Sequence, residues 1–130
     1  MRRGRLKPVD GNPKEFYERI DRQKIYAVED DPERHPIYPV LRDFIAKWDL
    51  HDKRFLEIGS SKGLFQNVVE DYTGVDVSES LRKYYGKPYV VVDGARLPFP
   101  DAHFDAVFSY ATHEHIPDIE TALWEIVRVL

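Results

Sequence analysis

Short runs of apolar residues alternate with helix-like patterns along most of the chain. Four runs are rich in β-branched and aromatic residues and predict β-strands at residues 54–58, 73–77, 89–92 and 104–109. Around these runs, apolar positions recur at intervals of three and four residues, which predicts helices at residues 37–48, 64–69, 78–85 and 117–130. Strands that alternate with helices predict a doubly wound parallel sheet with helices on both faces, an α/β/α sandwich.

The first part of the chain lacks this alternation. Asn12 and Pro13 are typical of the start of a short helix, and a polar, proline-containing loop follows it. We therefore divide the chain into an N-terminal arm and helix at residues 1–36 and a core at residues 37–130.

Composition and charge narrow the classes of function. The chain has 130 residues, which suits one domain, and a net charge of −4, which gives no reason to expect nucleic acid as a partner. It has no cysteine, so disulfides, thiolate metal sites and a cysteine nucleophile are excluded. The lack of cysteine is compatible with the cytoplasmic location that we expect. No apolar run approaches the roughly 20 residues that cross a bilayer, so we expect no membrane segment.

The segment after the first strand is expected to carry chemistry, because ligands of parallel sheets bind beyond the carboxyl ends of the strands. Glu57 lies at the strand end, where a carboxylate can face a ligand ammonium, and Gly59, Ser60, Ser61 and Gly63 form a turn into the next helix. The amino end of that helix would offer free backbone N–H groups to an anionic group. The alternative is that the glycines serve only a tight turn.

Acidic residues also follow the second and third strands. Asp76 lies at roughly the 20-residue spacing from the turn that suits an acid bonded to ribose hydroxyls, and Val77 follows it. Asp93, Gly94 and Ala95 follow the third strand, where an acid can accept from an exocyclic amine and a small residue leaves room for a flat ring. The alternatives are a helix cap at Asp76 and a simple turn at Asp93.

The loop after the fourth strand opens with Ser109 and would border the same crevice. His113 and His115 in this loop are candidates for a general base or for orienting a substrate. They are two residues apart, so on a helix they would point to different sides, and no convincing third ligand accompanies them. We therefore expect no metal site.

In their order and spacing, these segments resemble the class I S-adenosylmethionine-dependent methyltransferases, and most closely the methyltransferase type 11 group. The matching residues are FLEIG at 55–59, Gly63, GVDVS at 74–78, DGA at 93–95, LPFPD at 97–101, FDAV at 104–107, EHIPD at 114–118 and EIVRVL at 125–130. The resemblance covers residues 37–130 and implies a Rossmann-like fold with S-adenosyl-L-methionine as the cofactor.

The resemblance also implies roles for the residues after each strand. The loop from Glu57 to Gly63 would hold the methionine part of the cofactor, and Asp76, with Val77 beside it, would bind the ribose. Residues 93–95 would frame the adenine, and Ser109 would border the methyl end.

The chain departs from the family pattern in three ways. Ser61 stands where the family usually has glycine, and His113 stands where it more often has an apolar residue. Only four strands are legible, whereas family members continue with further strands after the fourth. We therefore expect a truncated product, whose fourth strand would be an exposed edge and could pair with a second copy to form a homodimer.

The resemblance implies an enzyme that transfers a methyl group by in-line displacement to an unidentified acceptor, which we expect to be a small molecule. Positioning and desolvation would supply most of the catalysis, without a metal. Two alternatives remain open: an inert fragment that binds S-adenosylmethionine or only dimerises, and an NAD-dependent oxidoreductase. The turn after the first strand lacks the Gly-x-Gly-x-x-Gly spacing that the oxidoreductase would need.

Overall fold

A computed structural model describes residues 14–15, 18–19, 31–92 and 95–130 of the chain. Its sheet has four parallel strands in the spatial order β3-β2-β1-β4. The strands are β1 (Phe55–Ile58), β2 (Tyr72–Asp76), β3 (Tyr89–Val91) and β4 (Ala106–Ser109). All four predicted strands are therefore confirmed, with ends that differ from the prediction by one or two residues.

Strand β1 lies between β2 and β4. Its last residue, Ile58, is level with Val75 on one side and Ser109 on the other. The chain runs from β1 outward to β2 and β3 and then returns past β1 to β4, so the direction of the crossovers changes between β1 and β4. Such a change places a crevice at the carboxyl ends of the central strands.

Apolar layers cover both faces of the sheet. Helix α1 (Tyr38–Lys47) packs Leu41 and Ile45 on one face, together with Phe55 of β1. Helix α2 (Ile119–Val129) packs Val129 on the other face, together with Leu56. Neighbouring residues of β1 thus point to opposite layers, as the pleat requires. This arrangement confirms the predicted α/β/α architecture.

The two α-helices match the predicted ones closely. Helix α1 lies within the predicted residues 37–48. Helix α2 begins at Ile119 rather than at Pro117, because the Asp118 side chain caps it by accepting a hydrogen bond from the Thr121 N–H at 3.1 Å. Much of α2 is nevertheless apolar and exposed, and Trp124 has 67% of its surface accessible.

Residues 64–69 do not form the predicted α-helix. Residues 59–71 must travel from the carboxyl end of β1 back to the amino end of β2, and such a crossover needs about a dozen residues. The segment is close to the shortest length at which a crossover includes a helix, so any helix here would be short. The segment instead forms turns closed by bonds between residues three apart, namely Gly63 N–H to Ser60 C=O, Gln66 N–H to Gly63 C=O and Val68 N–H to Phe65 C=O.

The predicted helix at residues 78–85 is a shorter 3₁₀ helix, Glu79–Tyr84. Ser78 does not cap it through its side chain; its Oγ lies 2.9 Å from Ser80 Oγ instead. In the N-terminal part, residues 14–15 and 18–19 are helical, whereas the predicted helix start at Asn12 and Pro13 lies outside the described residues.

Strand β4 pairs with β1 and is the edge of the sheet within the described part of the chain. The predicted homodimer through this edge stays a prediction. No helix in the described ranges is long and apolar enough to cross a bilayer.

A glycine in β2 leaves room for side chains that pack on the sheet. A Cβ at Gly74 would lie 2.7 Å from Ser60 Oγ and 2.8 Å from a ring carbon of Tyr85, whereas a Cβ at Gly86 would meet nothing closer than 3.9 Å. Gly74→Ala should therefore lower the free energy of unfolding by about 1–3 kcal/mol through overpacking. Gly86→Ala should stay within about 0.5 kcal/mol of the parent. Urea unfolding of both variants tests this, and equal stabilities would contradict the packing at Gly74.

Candidate functional site

The site is built around the loop that leaves β1, residues 59–63. Three of its residues have positive φ angles, Gly59 at 70°, Ser61 at 49° and Gly63 at 71°. Glycine adopts this conformation without strain, whereas Ser61 is a non-glycine residue in the left-handed region. The Ser61 side chain is exposed, so its departure from the family pattern affects the backbone conformation more than the packing of the loop.

The backbone of this loop is tied to β2 and to itself. The N–H groups of Gly59 and Ser60 both donate to the carbonyl of Val75, at 2.9 and 3.0 Å. The Gly63 N–H donates to the Ser60 carbonyl at 2.9 Å. The helix that was expected to begin near Gly63 and to offer free N–H groups does not form, and the Gly63 N–H is already bonded. A ligand would therefore meet the conformation and side chains of this loop rather than a series of free backbone N–H groups.

Glu57 lies just before this loop and is buried, with 6% of its surface exposed. Its Oε2 accepts a hydrogen bond from the Tyr72 hydroxyl at 2.5 Å. Burial raises the pKa of Glu57 to about 8, the Tyr72 hydrogen bond opposes that rise, and the nearby Asp76 adds to it. At neutral pH the side chain is therefore largely protonated, and a neighbouring cation would favour its ionised form.

Asp76 at the end of β2 holds the loop from the other side. Its Oδ2 accepts from the Ser61 N–H at 2.9 Å, and its Oδ1 accepts from the Val77 N–H at 2.7 Å. Burial raises the pKa of Asp76, and these backbone donors oppose the rise. The backbone of Ser78 also donates to this carboxylate, and a carboxylate has about four lone-pair sites, so Asp76 keeps capacity to accept from a ligand.

Two hydroxyl groups approach the end of β1 from the β4 side. Ser109 Oγ donates to the Ile58 carbonyl at 3.1 Å, and Thr112 Oγ1 lies 3.4 Å from the same oxygen. Gly59 has to be glycine here, because a Cβ would lie 2.0 Å from Thr112 Oγ1. The structure thus brings Ser109 to the same strand end as Glu57 and the loop.

The two histidines after β4 differ in their surroundings. Within the described residues, Nε2 of His113 is buried and has no hydrogen-bond partner. His115 is exposed, and its Nε2 lies 3.9 Å from Glu114. Buried polar atoms are normally paired, so the missing partner at Nε2 of His113 distinguishes it from His115.

The adenine-framing residues can be compared with the structure only in part. Ala95 is half-buried beyond the end of β3, whereas Asp93 and Gly94 lie outside the described residues. Their predicted roles stay predictions.

Three residues near the loop escaped the sequence analysis. Tyr72 contacts Glu57, Tyr85 contacts Ser60, and Thr112 fills the space at the end of β1. Their roles depend on strand register and on the crossover after β2, which local patterns do not specify. The glycine inside β2 was the available signal, because a glycine in a strand often marks a close approach.

The strand ends therefore gather carboxyl groups around a loop of glycine and serine residues with one lysine, Lys62. The two acids give this arrangement the capacity to bind a cationic, hydroxyl-bearing ligand. Among the residues that the structure describes, no group of three histidine, aspartate or glutamate side chains is placed to hold a metal ion.

Comparisons with known proteins identify the family of the chain. The model of a family described as a methyltransferase domain matches residues 56–130. A fatty-acid O-methyltransferase of Mycolicibacterium smegmatis is 32% identical over 98 residues, which cover 65% of this chain and 36% of the relative.

Two solved structures share the fold. An S-adenosylmethionine-dependent methyltransferase of Thermotoga maritima has a TM-score of 0.58 and 25% identity, over 90% of this chain and 54% of that one. A protein of Methanococcus maripaludis, assigned to the same class, has a TM-score of 0.63 and 20% identity, over 90% and 57% of the two chains. The chain thus spans about a third of the curated relative and about half of these structures.

The buried Glu57 should make the stability of the fold depend on pH. Its pKa is about 8 in the folded protein against 4.5 ordinarily, so the folded state keeps a proton that the unfolded chain loses between these values. The contribution of Glu57 to the free energy of unfolding should fall as pH rises through this window, by on the order of a few kcal/mol. The Glu57→Gln side chain still accepts a hydrogen bond from Tyr72 but does not titrate. As pH rises, the free energy of unfolding of this variant should therefore increase relative to that of the parent.

Urea unfolding between about pH 5 and pH 9 measures this difference. Glu120→Gln, on an exposed position of α2, is the matched control for the same change of side chain at the surface. A difference between Glu57→Gln and the parent that does not change with pH would contradict the raised pKa.

Proposed function

Because this chain belongs to the family of proteins with a methyltransferase domain, we propose that it binds S-adenosyl-L-methionine at the ends of β1 and β2 and methylates a small-molecule acceptor. The observation that carries the proposal is the convergence of Glu57 and Asp76 on loop 59–63, at the edge where parallel sheets bind ligands.

The residues present fit the charge and the hydroxyl groups of this cofactor. The carboxyl group of Glu57 lies where it would favour a ligand ammonium, and Asp76 has lone pairs for ribose hydroxyls. Ser109 lies on the β4 side of the same strand end, towards the expected methyl end. The raised pKa of Glu57 supports a pocket in which a bound cation replaces a proton.

When bound, S-adenosyl-L-methionine supplies a methyl group on a positively charged sulfur, which is already activated for displacement. The chain's own contribution would be to hold the cofactor, to align the acceptor and to exclude water. Because the cofactor brings an activated methyl group, the site does not require a catalytic triad.

The acceptor class has one specific line of support. The Mycolicibacterium relative is named a fatty-acid O-methyltransferase, which favours a carboxylate as the attacking group. A carboxylate is already ionised at neutral pH and needs no general base. His113 would then orient the acceptor through its unpartnered Nε2 rather than remove a proton, whereas His115 is the less suited of the two.

Binding without turnover is the second candidate function. It needs only the proposed cofactor contacts at Glu57, Asp76 and loop 59–63, without an acceptor site. The two functions differ in outcome: both include cofactor binding, but only the first gives a methylated product from a panel of fatty acids. The cytoplasmic location and the homodimer stay predictions.

Removal of the Asp76 carboxylate tests the ribose assignment. Asp76→Ala should weaken S-adenosyl-L-methionine binding by about 1–3 kcal/mol, because two hydroxyls lose a charged acceptor. Titration calorimetry measures the affinity at a temperature where both proteins are folded. Asp105→Ala is the control, since Asp105 pairs with Arg54 at the opposite end of the sheet, where the two side chains lie 3.0 Å apart. Unchanged affinity in Asp76→Ala would overturn the assignment.

A second test separates the two histidines. His113→Gln should reduce kcat/KM for a fatty-acid acceptor about tenfold to a hundredfold, as expected for the loss of a hydrogen bond to a charged group, and should leave the affinity for S-adenosyl-L-methionine unchanged. His115→Gln should have little effect on either quantity. A reduced kcat/KM in His115→Gln with an unchanged value in His113→Gln would contradict the role of His113 and assign the orienting role to His115.

A further inference from the structure

Loop 59–63 is fastened by side chains of neighbouring segments rather than by a helix of its own. The crossover that follows the loop makes only successive turns, so no regular helix fixes the three positive φ angles at its start. Besides its bonds to β2, the loop is held by the side chains of Tyr85, which follows the 3₁₀ helix, and Gln66, which lies in the crossover itself.

The Tyr85 hydroxyl provides one set of contacts. It lies 2.7 Å from Ser60 Oγ, 2.8 Å from the Ser61 carbonyl and 3.1 Å from the Ser60 carbonyl. These oxygens belong to two neighbouring residues of the loop, Ser60 and Ser61. One phenol group therefore contacts the backbone on both sides of the Ser60–Ser61 peptide bond.

The Tyr85 ring fits into space that two glycines leave open. A Cβ on Gly63, at the end of the loop, or on Gly74, in β2, would lie 2.8 Å from the ring. The ring also stacks on Tyr89, with centroids 4.4 Å apart. The ring is thus fixed between the loop, the sheet and a buried neighbour, so its hydroxyl has a defined position.

Gln66 provides the second set of contacts. Its Nε2 donates to the carbonyls of Gly63, at 3.1 Å, and Tyr84, at 3.0 Å. Its Oε1 accepts from the N–H groups of Gly86, at 2.8 Å, and Lys87, at 3.3 Å. All four hydrogen-bonding positions of the amide are used, and they join the end of the loop to residues 84–87.

We propose that Tyr85 and Gln66 form a two-residue staple that positions loop 59–63 for cofactor binding, in place of the helix that the short crossover does not form. The inference rests on the proposed function, which assigns this loop to the methionine end of S-adenosyl-L-methionine. Both are positioning residues: they act on the ligand through the conformation of the loop. A loop that is already ordered binds more tightly, because binding does not have to order it.

Hydrogen exchange of the ligand-free protein tests the staple independently of any ligand. Tyr85→Phe removes one oxygen and keeps the ring, so the fold should persist while the amides of residues 59–64 exchange about tenfold faster or more. Gln66→Glu removes the two donors with little change of shape and should act in the same direction. Tyr84→Phe is the matched control, because Gln66 contacts only the backbone carbonyl of Tyr84.

Titration calorimetry with S-adenosyl-L-methionine tests the consequence for binding. Tyr85→Phe and Gln66→Glu should each raise Kd about tenfold at a temperature where all the proteins are folded. Asp105→Asn, which weakens the distant pair with Arg54, should lower stability and leave Kd unchanged. This control separates positioning of the loop from a general loss of stability.

The outcomes are distinguishable. Unchanged loop exchange in Tyr85→Phe and Gln66→Glu would overturn the staple, and so would faster exchange with an unchanged Kd. A rise in Kd of the same size in Asp105→Asn would overturn it as well. Failure of the parent protein to bind S-adenosyl-L-methionine would overturn the proposed function and with it the ligand role of the staple, while the exchange measurement would still show whether the two side chains order the loop.

Discussion

The parallel pairing of β1 with β2 on one side and with β4 on the other is the constraint on which the site depends. Because the strands run in the same direction, their carboxyl ends reach one edge of the sheet, and the loop after β1 lies between contributions from both neighbours. The Val75 carbonyl and Asp76 approach the loop from β2, and Ser109 approaches the end of β1 from β4. A change of register in either pair would separate these groups.

The same geometry explains the electrostatics of the site. Side chains alternate between the two faces of the sheet, so the position of Glu57 two residues after Phe55 places it in the layer that also contains Tyr72. A carboxyl group in such a layer is costly to ionise, which is why its pKa is raised. Asp76, held by backbone N–H groups, is the second acid of the strand ends. The two acids therefore favour a ligand that brings positive charge and hydroxyl groups.

The strands and the candidate loop could be predicted from the sequence because they depend on local patterns. Runs of apolar residues marked all four strands, and the glycines and acids after them marked the strand ends. The turns at residues 64–69 were wrongly predicted as a helix, because the apolar spacing there is helical while the short crossover forms successive turns instead. The contacts of Tyr85 with Ser60 were missed for a different reason: these residues are 25 positions apart and meet only through the sheet. Local spacing carries no information about such tertiary contacts.

The central claim is that a nucleoside with an amino-acid tail lies across the ends of β1 and β2. A crystal structure of the protein with S-adenosylhomocysteine tests it most directly. The account predicts ribose hydroxyls within hydrogen-bonding distance of the Asp76 carboxylate and the amino-acid tail along loop 59–63, near Glu57. A ligand bound elsewhere, or one that leaves both carboxyl groups without contact, would contradict it.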